Sequence, residues 1–206
     1  MQELIAVALI TILAVISPGG DFAMVTRNSY LHGRRAGVLT SLGIASAVWI
    51  HVGYTLLGVS ILLLKFPTLF HFIKILGAIY LVYIGFKTFN HHSVTVDLNV
   101  SSKTLSDIEA FKNNGFVTNA LNPKTTLFVL STFTQIVKPT TSIYIQLGYG
   151  AFMSIAHLIW FVFVAEVLSS PLIRNRLLKK QKYVNRFIGA ILILLGGMLI
   201  FSSIPF

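Results

Sequence analysis

Six long apolar segments constrain this chain more than any other feature, because each is long enough to cross a lipid bilayer. A helix needs about 20 residues to span the roughly 30 Å of hydrocarbon. The segments run over residues 4–30, 37–63, 67–89, 114–137, 142–168 and 184–203. Their residues do not alternate between apolar and polar, as the strands of a membrane barrel do. We therefore predict an all-α membrane protein with six transmembrane helices in contact with the lipid bilayer.

The composition agrees with a lipid-facing exterior. Of the 206 residues, 55% are hydrophobic and 11% are charged, whereas about a quarter of a soluble domain is charged. Cysteine is absent, which excludes disulfides, thiolate metal sites and thiol-disulfide carriers. The start of the chain, Met1 to Glu3, lacks the positive region of a signal peptide. We expect residues 4–30 to remain as the first span of a single transmembrane domain over residues 1–206.

Basic residues are distributed unequally between the two predicted sides of the membrane. Twelve lie in or beside the loops after spans 1, 3 and 5, and three lie on the other side. By the positive-inside rule, loops 1–2, 3–4 and 5–6 are cytoplasmic and both termini are outside. The formal charge of +10 then reports topology, and we expect no nucleic-acid partner. The twelve are Arg27, Arg34, Arg35, Lys87, Lys103, Lys112, Arg174, Arg176, Lys179, Lys180, Lys182 and Arg186.

Two of the spans are interrupted by proline beside an ionisable residue. Pro18-Gly19-Gly20-Asp21 breaks the first span, and Asn122-Pro123-Lys124 breaks the fourth. Proline removes a backbone donor and clashes with the preceding turn. Inside a bilayer the freed backbone groups need protein, water or a ligand as partners. Paired interruptions in the two halves of a membrane protein indicate a transport site.

The two halves of the chain resemble each other. Pro18 and Pro123 are 105 residues apart, and His51 and His157 are 106 apart. Lys74–Ile79 also matches Arg186–Ile191 in residue type. We predict two inverted three-helix repeats, over about 1–95 and 105–206, joined by a cytoplasmic linker at about 91–113. Eight glycines are expected to allow close helix packing: Gly43, Gly53, Gly77, Gly85, Gly148, Gly150, Gly189 and Gly197.

Several motifs carry a resemblance to a known family. They are Ser17–Phe22, His32–Gly37 with Gly43, Gly77-Ala78 with Gly85–Lys87, and Gly115, Asn119 and Leu121–Lys124. In this order they resemble the LysE/RhtB family of amino-acid exporters over nearly the whole chain. Gly20 stands where that family commonly has a second proline, which predicts a more flexible break.

The resemblance implies a six-span protein of the bacterial inner membrane that exports amino acids or related small metabolites. It implies proton exchange as the driving force, with alternating access and without a cofactor. The sequence specifies neither the substrate nor the oligomeric state.

The predicted substrate site lies at the two breaks. An amino acid is a zwitterion, and helix N-termini and Lys124 suit its carboxylate. Asp21 suits the ammonium or a proton, or it caps the helix that follows. An ion pair between Asp21 and Lys124 that joins the two halves is an alternative, as is backbone capping by the asparagines. The candidate substrate-binding residues are Pro18, Gly19, Gly20, Asp21, Asn119, Asn122, Pro123 and Lys124.

Proton coupling requires a group that titrates. Asp21 is the first candidate, because burial disfavours its charged form. His51 and His157 are candidates for a relay, since histidine titrates near neutral pH, although hydrogen-bonded core histidines are the alternative. Glu166 is the fourth candidate, with an interfacial, solvated carboxylate as the other interpretation.

Other functional classes find less support. A membrane-embedded enzyme needs a catalytic constellation, such as paired carboxylates, and none is present. A metal exporter of the same fold needs clustered ligands within the spans, and we predict no metal site. A channel is the remaining alternative to a carrier. Flux that does not depend on a gradient would distinguish it.

Overall fold

The computed structural model describes residues 2–90, 105–138, 140–168 and 171–203. All regular structure in these ranges is helical, and no strand occurs in them. The helices are α1 (Gln2–Ile16), α2 (Gly20–Lys65), α3 (Pro67–Phe89), a π-helix (Glu109–Val117), α4 (Thr118–Ala120), α5 (Pro123–Gln135), α6 (Ile143–Leu168) and α7 (Pro171–Ser203).

Both predicted breaks are present. Helix α1 ends at Ile16 and α2 begins at Gly20, so Pro18 lies in the connection between them. The second break occupies residues 121 and 122, and Pro123 is the first residue of α5. Proline is tolerated at this position because the first helical N–H has no partner within the helix. Each break therefore leaves helix ends facing the interior of the molecule.

The boundary between the first two predicted spans is present. We predicted separate segments at 4–30 and 37–63, and α2 (Gly20–Lys65) consists of two helices that meet at Gly33, between these segments. Gly33 has φ 82° and ψ 177°, a conformation that side chains with a Cβ rarely adopt. A single glycine thus replaces the expected loop.

Helical structure extends beyond two of the predicted spans. It begins before residue 113, inside the predicted linker, and α7 begins at Pro171, although its apolar part, Asn185–Phe201, agrees with the predicted span at 184–203. Polar and basic residues can continue a helix beyond the hydrocarbon, where hydropathy no longer reports it. The linker residues 91–104 lie outside the described residues, as do the side chains of most of the basic run at 174–182.

The helices pack in pairs around the broken segments. Helix α3 packs along α7, and α2 packs along α6 and the π-helix. The main core lies around α1 and α5, where Val7, Ile10, Val129 and Phe133 are buried with Met153 of α6. The same core includes Ala14, near the end of α1, and Phe128 of α5, so it joins the helices on either side of the breaks.

Apolar side chains also cover much of the outside, including Leu57, Phe187 and Met198. Within the described residues, three helical stretches are long and apolar enough to span a bilayer: Gly20–Val59, His71–Phe89 and Ile143–Val167. Gln2–Ile16 and Asn185–Phe201 are shorter apolar helices. The molecule is an all-helical membrane protein.

Candidate functional site

The two breaks meet through the carboxylate of Asp21, in the first turn of α2. Asn119 and Asn122 each donate a side-chain N–H to its Oδ2, at 2.8 Å and 2.9 Å. Thr125 Oγ1 lies 3.4 Å from the same oxygen. Asp21 is 6% exposed. Residues about a hundred positions apart in sequence therefore form one buried polar cluster.

Asn122 performs two tasks in this cluster. Its side-chain oxygen accepts the backbone N–H of Lys124 at 3.0 Å and so caps α5, while its N–H group holds Asp21. Asparagine is a favoured N-cap because its side chain reaches back to an unpaired helix N–H. Of the alternatives that the sequence left open for Asn122, the capping contact is present, and its amide also holds Asp21.

Lys124 points into the other break. Its Nζ donates a hydrogen bond to the carbonyl oxygen of Ser17, just beyond the end of α1. The ammonium does not form an ion pair with Asp21 in the described structure, where the carboxylate is bonded by amides instead. The lysine stem lies against Gly19, since a Cβ there would be 3.1 Å from Lys124 Cδ. Opposite charges thus lie close together without neutralising each other directly.

A small cavity lies at the junction of three helix ends. Its volume is about 20 Å³, enough for one water molecule and far too small for an amino acid. The end of α1 and the starts of α2 and α5 surround it. The lining residues are Ala14, Val15, Ser17, Gly19, Asp21, Phe22, Asn122, Lys124, Thr125, Phe128, His157 and Phe161.

Two oxygens of this cluster, Asp21 Oδ1 and Asn119 Oδ1, are buried without a hydrogen-bond partner in the described part of the chain. Asp21 Oδ1 is buried and makes no hydrogen bond within the described part of the chain, although Oδ2 accepts several. A buried polar atom without a partner costs about 1–3 kcal/mol, so such atoms need a bound group to explain them. The cavity beside Asp21 is the place where a donor group would fit.

The helix ends give the cavity a polarised lining. The last carbonyls of α1 lack helical partners and carry partial negative charge, whereas the first N–H groups of α2 and α5 carry partial positive charge. Lys124 adds a basic side chain to this lining and Asp21 an acidic one. Groups that suit an anion and groups that suit a cation thus lie side by side at the cavity.

The structure separates the predicted proton-coupling residues. His157 lines the cavity, and its ring lies between Phe128 and Phe161, at centroid distances of 6.4 Å and 6.1 Å. Its Nδ1 bonds the carbonyl oxygen of Met153 at 2.7 Å. Since a carbonyl only accepts, Nδ1 carries the hydrogen and Nε2 is left as an acceptor.

His51 and Glu166 lie elsewhere. His51 is fully buried but is not among the cavity-lining residues, and it contacts the second break from the other side. Glu166 pairs with Arg34 next to the Gly33 kink, with 37% of its side chain exposed. The interfacial interpretation of Glu166 agrees with this position.

The predicted substrate-binding residues divide into two groups. Gly19, Asp21, Asn122 and Lys124 line the cavity. The others, Pro18, Gly20, Asn119 and Pro123, lie in or beside the breaks without lining the cavity, and Asn119 acts through Asp21.

Sequence reasoning missed Thr125 and the two wall residues Phe128 and Phe161 as part of the site. Thr125 follows Lys124 directly in the first turn of α5, which was a usable signal. It also missed Thr88 of α3, whose hydroxyl bonds Ser17 Oγ at 2.7 Å. Nothing in the sequence distinguishes Thr88 or the two phenylalanines from ordinary core residues.

Comparison with known proteins extends this description. The family model of LysE type translocators matches residues 12–203. A threonine efflux protein of Salmonella typhimurium is 28% identical over 98% of this chain and 99% of its own. The uncharacterized membrane protein YahN of Escherichia coli (strain K12) is 30% identical over 94% of this chain and 86% of its own. A leucine efflux protein of Salmonella choleraesuis is 30% identical over 63% of this chain and 60% of its own. No solved structure matches.

The family match places this all-helical membrane protein in the class of translocators. The chain is a member of the LysE type translocator family. The predictions of this family and of a transporter rather than an enzyme are confirmed.

Proposed function

We propose that this protein exports amino acids or related small metabolites from the cytoplasm across the bacterial inner membrane. Relatives along nearly the whole chain are named threonine efflux proteins, and another is named a leucine efflux protein. The observation that carries the proposal is the unpartnered Oδ1 of Asp21, buried beside Lys124 and the cavity. An α-amino acid supplies the ammonium that this oxygen lacks.

Each charge of the substrate has a proposed partner. The ammonium binds Asp21 Oδ1 and the free carbonyls at the end of α1, while the carboxylate binds the N–H groups at the start of α2. Lys124 exchanges its bond with Ser17 for the substrate carboxylate. Both buried charges are then compensated by the ligand, which favours the zwitterion over a singly charged solute.

The proposed transport cycle is alternating access. A cavity of about 20 Å³ supports an occluded state, so binding requires separation of the helix ends. Helices α1 and α5 lead from the breaks toward one side of the membrane, and the first turns of α2, with the π-helix and α4, lead toward the other. When one of these two sets of helices moves away and the other stays closed, the same site is exposed to one side of the membrane at a time.

Two inverted repeats are part of this proposal. Helices that correspond in the two halves pack against each other, α3 on α7 and the later part of α2 on α6. Gly85 faces Gly189 and Ala78 faces Gly196, so α3 and α7 run antiparallel. Antiparallel contact between counterparts supports an in-plane two-fold axis joining repeats at about 1–95 and 105–206.

We further propose that proton exchange drives export. Asp21 and His157 line the cavity and are its titratable groups besides Lys124. A proton on Asp21 and a substrate ammonium compete for the same oxygen. Each change of access therefore carries either a proton or a substrate molecule, never both. This competition links the two fluxes without a separate proton pathway through the protein.

Vesicles containing the purified protein provide the test. With an imposed proton gradient, they should accumulate a labelled amino acid such as threonine or leucine, and Asp21→Asn should abolish this uptake. Asp107→Asn is the matched control, since Asp107 forms an exposed ion pair with Arg35. Uptake that persists in Asp21→Asn, or flux that ignores the gradient, contradicts the proposal and indicates another site or a channel.

A further inference from the structure

His51 of α2 holds the second break in place from outside the cavity. Its Nε2 lies 2.9 Å from the carbonyl oxygen of Asn119. Because a carbonyl only accepts, Nε2 carries the hydrogen. The other ring nitrogen, Nδ1, lies 2.7 Å from the hydroxyl of Tyr54 and 3.3 Å from that of Thr126, and hydroxyls can donate to it. These partners fit the neutral ring with its hydrogen on Nε2.

The carbonyl that His51 contacts belongs to the residue that holds Asp21. The same oxygen also accepts the backbone N–H of Asn122 at 2.8 Å. With its backbone fixed in this way, the Asn119 side chain can donate to Asp21 Oδ2 at 2.8 Å and to Thr125 Oγ1 at 3.1 Å. The path from His51 to Asp21 thus runs through one residue.

We infer that His51 is a positioning residue that orients Asn119 and, through it, the carboxylate of Asp21. The role of Asp21 in this inference rests on the proposed function. His51 is fully buried, and the ring edge carrying Nε2 faces a peptide carbonyl instead of a carboxylate or the cavity. A peptide carbonyl does not pass a proton onward to Asp21, so this geometry does not form a relay.

His157, the corresponding histidine of the second half, contacts a backbone carbonyl through the other ring nitrogen. His157 donates from Nδ1 to the carbonyl oxygen of Met153, and His157 is among the residues that line the cavity. The charged and titratable groups near this region are Asp21, Lys124, Lys87, Tyr54, Tyr80 and the two histidines. Of the two histidines, only His157 therefore lies where it can contact the occupant of the cavity.

Matched substitutions test the assignment. Glutamine places an N–H near the position of histidine Nε2 and an oxygen that can accept from Tyr54, whereas asparagine is too short to reach Asn119. In proton-driven uptake by vesicles, His51→Gln should keep the wild-type KM within about twofold and the wild-type pH profile. His51→Asn and His51→Leu should raise KM about tenfold, as expected for loss of a buried hydrogen bond.

Tyr54→Phe separates positioning from a proton relay. Tyr54 is 42% exposed on the outside of the described structure and its hydroxyl contacts Nδ1, so a relay would use it as the route from His51 to that surface. Positioning needs only the bond from Nε2 to Asn119, which this substitution retains. Uptake and its pH profile should match wild type, and a loss of proton-driven uptake in Tyr54→Phe would overturn the inference.

A second readout does not depend on transport. Infrared titration of the Asp21 carboxyl group, identified by its disappearance in Asp21→Asn, reports its surroundings directly. His51→Gln should titrate like wild type, whereas His51→Leu should titrate at a different pH. Identical titrations in all three proteins would refute positioning. If no protein takes up any amino acid, the proposed function fails while this measurement still decides the role of His51.

Discussion

At the scale of single residues, the site depends on side chains that each satisfy two neighbours. Asn122 caps α5 and also holds Asp21, so its two functions can be separated chemically. Aspartate retains the capping oxygen but replaces the donor N–H with an acceptor that faces a second carboxylate. Like charges at hydrogen-bond distance disfavour each other when buried.

We expect Asn122→Asp to abolish uptake while leaving the folded protein abundant in the membrane. Asn122→Ala should lose both functions and lower helix stability by about 1 kcal/mol, the usual cost of a lost N-cap. Uptake assays combined with thermal unfolding in detergent separate the two effects. Normal uptake by Asn122→Asp would show that the amide donor is dispensable.

Gly19 provides a second test at this scale. A Cβ at this position would lie 3.1 Å from Lys124 Cδ and 3.4 Å from Nζ, so alanine must displace the lysine side chain. We expect Gly19→Ala to reduce the uptake rate at least several-fold at unchanged protein level. Gly53→Ala is the control, because nothing lies within 4 Å of a Cβ there. Equal rates for both variants would mean that the position of Lys124 does not limit transport.

At the scale of helices, close backbone contacts hold the pairs together. Five of the eight glycines expected to pack closely do so, whereas Gly53, Gly148 and Gly197 have open space around them and the prediction was wrong there. The spacing of glycines in the sequence shows where close packing is possible. It does not show which face of the helix lies against a neighbouring helix. The nine-residue π-helix was also unforeseen; its Gly115 lies against Gly43 of α2.

Helices α3 and α7 allow a direct measurement of such a contact. A Cβ at Gly85 would lie 2.7 Å from the backbone nitrogen of Ile193, which no rotamer change relieves. Gly85→Ala should destabilise the protein by about 1–3 kcal/mol, the range for overpacking. Gly197→Ala in α7 is the matched control and should be neutral or slightly stabilising, because alanine favours helix. Chemical or thermal unfolding in detergent gives both values, and equal stability would contradict the packing at Gly85.

At the scale of the whole molecule, the charge asymmetry predicts an orientation in the membrane. The natural chain has no cysteine, so single cysteines report topology without further changes. Lys138→Cys, after α5, should react with a membrane-impermeant thiol reagent added outside intact cells. Lys112→Cys, in the π-helix, should react only after the membrane is opened. Both side chains are exposed, so burial limits neither reaction. The reverse pattern would invert the predicted topology and place both termini in the cytoplasm.

The amino-acid sequence alone determined the helical class, the two breaks, the family and the residue types gathered at the site. These features follow from local physical chemistry, because hydropathy, proline sterics and helix capping act over a few neighbouring residues. Only the tertiary structure decided that Asp21 is held by amides instead of by Lys124. It also placed His157 in the cavity lining and His51 against the Asn119 carbonyl, although the two histidines occupy corresponding positions in the two halves of the sequence. These outcomes depend on the rotation and depth of helices whose residues lie about a hundred positions apart, and no local rule specifies either quantity.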